Sequence, residues 1–182
     1  MTVEEAQRDM RQAFGGGFFG QLVSGIIWGL SGAFATWGTP RAAILLLVLG
    51  GFFIFPLTVV LLRISGRSGS AAPGNPLNQL APLLAFVLPL CLPVVGAATT
   101  CRLNWFYPAF MIVLGAHYLP FCFLYGMRMF GFLAAILVSG GLWLGLRHAD
   151  AFSLGAWVTA GTLVAFAFAG GWLARSEKRG AA

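Results

Sequence analysis

Six blocks of consecutive apolar residues, each close to the length that carries a helix across a bilayer, run through this chain of 182 residues. Spans are expected at about 16–37, 42–62, 80–99, 105–125, 129–146 and 151–174. Only 9% of the residues are charged, against roughly 25% in a soluble domain, so a polar shell could not cover this much apolar side chain. The fold class is therefore all-α: a polytopic integral membrane protein built as a bundle of six transmembrane helices. Residues 1–15 form an N-terminal segment, 16–174 the membrane domain and 175–182 a basic tail.

A net charge of +6 raises nucleic acid as a partner, but the cations stand singly at span ends instead of forming a stripe, which excludes it. With six spans, Arg8, Arg11, Arg63, Arg67, Arg128, Arg175, Lys178 and Arg179 fall on one side, and Arg41, Arg102 and Arg147 on the other. The positive-inside rule then places both termini in the cytoplasm. Ala33-Phe34-Ala35 resembles a leader-cleavage site, yet Glu4, Glu5 and Asp9 outweigh Arg8 and Arg11 ahead of it, so cleavage is not expected.

In chain order, Met10 and Phe14 are four apart and predict a short amphipathic turn on the membrane surface, or else a solvated lead into the first span. Gly16, Gly20 and Ser24, and again Gly25, Gly29 and Ala33, recur every four residues and permit close helix approach. Gln21 and Ser24 are the polar members of that span, and they read either as hydrogen-bond partners of a neighbouring helix or as ligand groups. The second span reads as a lipid-facing wall, interrupted at Gly50-Gly51 and Pro56, and Arg63–Gln79 reads as a loop. Pro89 and Pro93, one turn apart, predict a kink in the third span that frees backbone carbonyls. The fifth and sixth spans are rich in Gly and Ala.

The chemistry concentrates between Cys101 and Phe130, which holds every tyrosine in the chain and one of its two histidines. At about 100° per residue, Tyr107, Tyr118 and Tyr125 fall near one line, with Met111 and Cys122 beside it. His117 is a titratable group at membrane depth, where such groups face a bundle interior or cavity; a neutral imidazole bonded to a helix carbonyl is the competing reading. Substrate or pathway candidates are His117, Tyr118, Asn104, Tyr107, Met111, Cys122, Gln21, Pro89 and Pro93. Arg41, Arg102, Arg147, His148 and Asp150 form either a polar outer mouth or separate solvated helix ends.

A haem between His117 and His148 fails on depth, because the two lie roughly 20 Å apart along the membrane normal. No metal-ligand spacing, paired carboxylate, nucleophile elbow or P-loop is present, so no metal, cofactor or catalytic residue is assigned. Cys91, Cys101 and Cys122 read as free thiols. Two functional classes survive. One is a small-solute or anion permeation protein with its site around the fourth span. The other is a non-catalytic accessory, assembly or sensor protein acting through helix contacts. Partners are then the lipid bilayer and either a second copy, as a homodimer, or another membrane protein.

The segment NWFYPAFMIVLGAHYLPF, Asn104 to Phe121, resembles small bacterial multi-pass membrane proteins grouped as a family of unknown function. The resemblance implies a bacterial six-helix protein of the cytoplasmic membrane and brings no activity or ligand with it.

Overall fold

The computed structural model describes residues 1–148 and 150–180, and all regular structure among them is helical. The first helix, α1, spans Val3–Phe14. Thr2 caps it through a reciprocal bond with Glu5, satisfying backbone donors that an uncapped end would waste. Its Ala6, Met10 and Ala13 are buried against the end of the bundle, so the amphipathic segment is a full docked helix and not a frayed lead. Gly15, Gly16 and Gly17 all take positive φ, a run of left-handed backbone that turns the chain sharply into α2.

Among the described residues five helices are long and apolar enough to cross a membrane, and a bent pair would make a sixth if its two halves form one span. α2 (Phe18–Trp37) lies antiparallel to the last helix, α9 (Leu154–Gly180). Gly25 meets Ala160, Leu163 and Val164, Gly29 meets Ala160, and Gly32, outside that series, meets Ala156 and Trp157. The small residues at four-residue spacing thus do what that pattern allows: they let two backbones close without side chains between them. Because Gly16 reaches Ala174 and Gly170, both ends of the membrane domain sit on one side of the bundle. α9 runs past the expected boundary at 174 to Gly180, while Ala149, Ala181 and Ala182 lie outside the described residues.

The second crossing is α3 (Pro40–Gly51) and α4 (Ile54–Ile64), bent by 54°. Phe52 and Phe53 donate to Leu49 and Gly50, three residues back, which tightens the last turn of α3. Pro56 has no N–H to return to the Phe52 carbonyl, so the ladder cannot resume until α4 is under way. The break expected in the third span is accordingly found in the second. α5 (Leu80–Cys101) continues as one helix through Pro89 and Pro93. Proline removes ladder bonds there without ending the helix.

The fourth crossing divides at Pro120 into α6 (Phe106–Tyr118) and a short α7 (Phe121–Tyr125). α6 packs antiparallel to α8 (Met129–Arg147) through Gly115 and Gly141. α5, by contrast, packs mainly on α6 and stands apart from α3 and α4. Its Leu83, Phe86, Leu90 and Val94 fall on one helical stripe and are exposed on the bundle's flank.

A lateral cavity with a polar floor

The separation of α5 from α3–α4 leaves a cavity of about 600 Å³ in the half of the bundle nearer α1. One wall is α3–α4, including Val48, Phe52, Phe55, Pro56 and Thr58. The other is α5, through Ala81, Ala85, Phe86, Pro89 and Leu92. The second span is therefore a cavity wall on one face and not solely a lipid-facing one. Thr58, the lone hydroxyl residue of that span, was the available sign of it.

The floor is made by α2 and α6 and carries the polarity: Gln21, Ser24, His117 and Tyr118. Gln21 is 2% exposed, and neither its Nε2 nor its Oε1 has a hydrogen-bond partner; His117 Nδ1 is also without one. Ser24, three residues along α2 from Gln21, and Tyr118 of α6 line the same floor beside the unpartnered carboxamide. The rim below is aromatic. Phe121 lies 5.1 Å from the His117 ring, and Phe130 of α8 stacks with Tyr118 at 6.1 Å and with Tyr125 at 5.4 Å. The turn at Pro120 places Phe121 and Tyr125 of α7 in this lining together with Tyr118. No Asp, Glu, Lys or Arg lines the cavity among the described residues.

A second cavity of about 390 Å³ continues toward the opposite end, bounded by Ile44 of α3, by Val95, Gly96, Thr99 and Thr100 of α5, and by Phe106. Val48 and Leu92 line both cavities, so a single pair of apolar side chains stands where the two abut.

The expected tyrosine line divides between two tasks. Tyr118 and Tyr125 face the cavity. Tyr107 lies away from it, fully buried, with its hydroxyl 2.6 Å from Ser31 Oγ, which in turn donates to the Ala43 carbonyl at 2.9 Å. That bond ties α6 to α2 and α3 and is structural. Met111 is buried near Gly140, Gly141 and Gly155, and Cys122 packs near Gly131, so neither lines a cavity. Asn104 is half-buried in the turn before α6, and Pro93 lies outside both linings. Arg41, Arg102, Arg147, His148 and Asp150 are exposed at the far end, and none lines either cavity. Gln21, His117, Tyr118 and Pro89 are thus the candidates that the fold brings together. No group of acidic, histidine or cysteine side chains that could hold a metal occurs among the described residues.

An unpartnered buried amide costs about 1–3 kcal/mol per polar group relative to a satisfied one. Gln21→Leu keeps the volume and removes the orphans, so the unliganded protein should gain about 1–3 kcal/mol, read as a higher unfolding temperature in detergent. An unchanged or lowered temperature would show that Gln21 is satisfied in solution.

Residues 3–172 match a family of unknown function, DUF7010, and the chain belongs to that family. No curated protein and no solved structure shows a significant match to it.

Proposed function

We propose that this DUF7010 protein is a permeation protein of a bacterial cytoplasmic membrane, with both termini cytoplasmic, and that it conducts small uncharged molecules along the slot between α3–α4 and α5. The observation that carries this reading is the pair of cavities meeting at Val48 and Leu92. Together they extend from the level of Phe14 and Leu62 near one end to Thr100 near the other. The absence of charged side chains from the lining favours neutral cargo over anions, since a bare ion would enter without a countercharge. The cytoplasmic assignment rests on the eight-to-three distribution of Lys and Arg between the two sides.

The test is vesicle reconstitution with a nitrobenzoxadiazole-tagged alkyl glycoside, a neutral amphiphile that crosses bilayers slowly unaided. Dithionite destroys the outer-leaflet dye, and the protected fraction then decays at the rate of transbilayer movement. Wild-type protein should accelerate that decay by about tenfold or more, equivalent to roughly 1.4 kcal/mol off the barrier. Leu92→Trp should return it to the protein-free rate by filling the constriction. Equal rates for wild type, variant and empty vesicles would remove the permeation reading. The accessory class would then lead, with the exposed stripe of α5 as the face to cross-link for a second copy or another membrane protein.

A further inference from the structure

We infer that the Gln21–His117 floor is a head-group site for an uncharged amphiphile bearing a hydroxyl or amide, whose hydrocarbon chain lies in the slot and leaves it sideways between α4 and α5. This rests on the permeation reading and names the class of molecule the slot takes.

Three observations converge on that chemistry. The Gln21 carboxamide presents donors at Nε2 and an acceptor at Oε1, all buried and all without partners, and His117 Nδ1 adds one more unpaired polar atom to the same cavity. A group that satisfies Gln21 must both donate and accept. A hydroxyl or an amide does so, a sulfate only accepts, a quaternary ammonium does neither, and an alkane offers nothing. Second, the lining holds no Asp, Glu, Lys or Arg among the described residues, so a charged head would lose its hydration with no opposite charge to replace it. Third, the walls are apolar, and Phe52, Phe55 and Phe86, which line the cavity, are also more than half exposed on the bundle's flank. The cavity therefore opens toward the side of the bundle, where a bilayer would lie, and a chain can enter without first passing through water. Its volume of about 600 Å³ falls within the roughly 300–1,000 Å³ of sites that enclose a compact organic ligand.

The experiment uses the full-length protein in lipid nanodiscs and four photoreactive probes of equal chain length, each with a diazirine near the head. The heads are a primary alcohol, a sulfate, a trimethylammonium and a plain hydrocarbon end. Sites of covalent labelling are read by peptide mass spectrometry. The alcohol should label the peptides carrying Gln21 and His117 about tenfold more than the sulfate or the ammonium, the ratio expected for one well-formed polar contact. In Gln21→Leu the alcohol should fall to the level of the alkane, whose own labelling of the walls should not change. Equal labelling by all four probes, or an alcohol signal indifferent to Gln21→Leu, would overturn the head-group assignment while leaving the slot intact. Such a result would mean that Gln21 is satisfied by water alone. Labelling by neither alcohol nor alkane would overturn the slot as well. The comparison of head groups on wild-type protein stands without any variant.

Discussion

Gly141→Val is expected to abolish recovery of a folded, monodisperse protein. A Cβ at position 141 would sit 2.7 Å from the Pro108 carbonyl oxygen, 3.0 Å from Ile112 Cγ1 and 3.1 Å from Met111 Cβ. The first of these is backbone, fixed at the start of α6, so relief requires α6 and α8 to separate. Overpacking by a single small group costs about 1–3 kcal/mol, and valine adds three carbons to a crossing with no room for one. Against a total stability of about 5–15 kcal/mol that is decisive, and α6 carries His117 and Tyr118 with it. The control is Gly161→Ala in α9, where nothing lies within 4 Å of the new carbon. That change should stabilise by about 0.5–1 kcal/mol through backbone entropy alone. Thermal unfolding followed by size-exclusion chromatography distinguishes them. A Gly141→Val protein that elutes and melts like wild type would refute the α6–α8 packing described here.

The second large effect is expected at Asn75, which is 4% exposed in the loop between α4 and α5. Its Nδ2 donates to the Ala6 carbonyl at 2.9 Å and to Asp9 Oδ2 at 2.8 Å, while its Oδ1 accepts from the Leu77 N–H at 2.9 Å. Asp9 Oδ2 also accepts from the Ala72 N–H at 2.8 Å, so one side chain and one carboxylate clamp α1 onto the loop. Asn75→Leu removes three bonds, one of them to a charge, at a cost of about 2–4 kcal/mol. Other ties remain: Gln7 to the Phe123 carbonyl, Arg11 to the Tyr125 carbonyl and Arg67 to the Gln12 carbonyl. The expected result is therefore local opening and not global unfolding. Amide exchange in α1 should accelerate by about two orders of magnitude, with α6, α8 and α9 unchanged. No acceleration would mean that the Asn75 clamp contributes nothing to holding α1 in place.

The helices were legible because apolar runs of bilayer length have one economical conformation, and five helices and one bent pair of suitable length and composition fall close to the expected apolar runs among the described residues. Gln21, His117 and Tyr118 were legible as site candidates because polarity is rare in such runs and each instance stands out. What the linear pattern does not encode is which face of a proline-containing helix is left without a neighbour. Pro89 and Pro93 are the louder breaking signal, yet the bend follows Gly50-Gly51 and precedes Pro56, where two flexible residues and a missing donor act within one turn. The tyrosine line was an approximate alignment along a span that Pro108 and Pro120 could bend. Tyr107, Met111 and Tyr118 share α6, but the Tyr107 end of that helix packs against Ser31 and Phe152 while only its Tyr118 end reaches the cavity, where Tyr125 joins it after the turn at Pro120. α1 was underestimated for a different reason: its partners, Asn75, Phe123 and Tyr125, are far away in sequence.

The pairing of α2 with α9 bears on how the protein is made. The ribosome delivers Gly25 long before Ala160 and Leu163, the residues that cover it. At about 5–20 residues per second, the first span waits on the order of ten seconds for its partner. Through that interval its glycine face lacks the helix that covers it in the folded protein. A nascent chain cut short before α9 carries every residue of the polar floor and still lacks the helix that closes the bundle behind it, so quality-control proteases should recognise truncated products by that uncovered face.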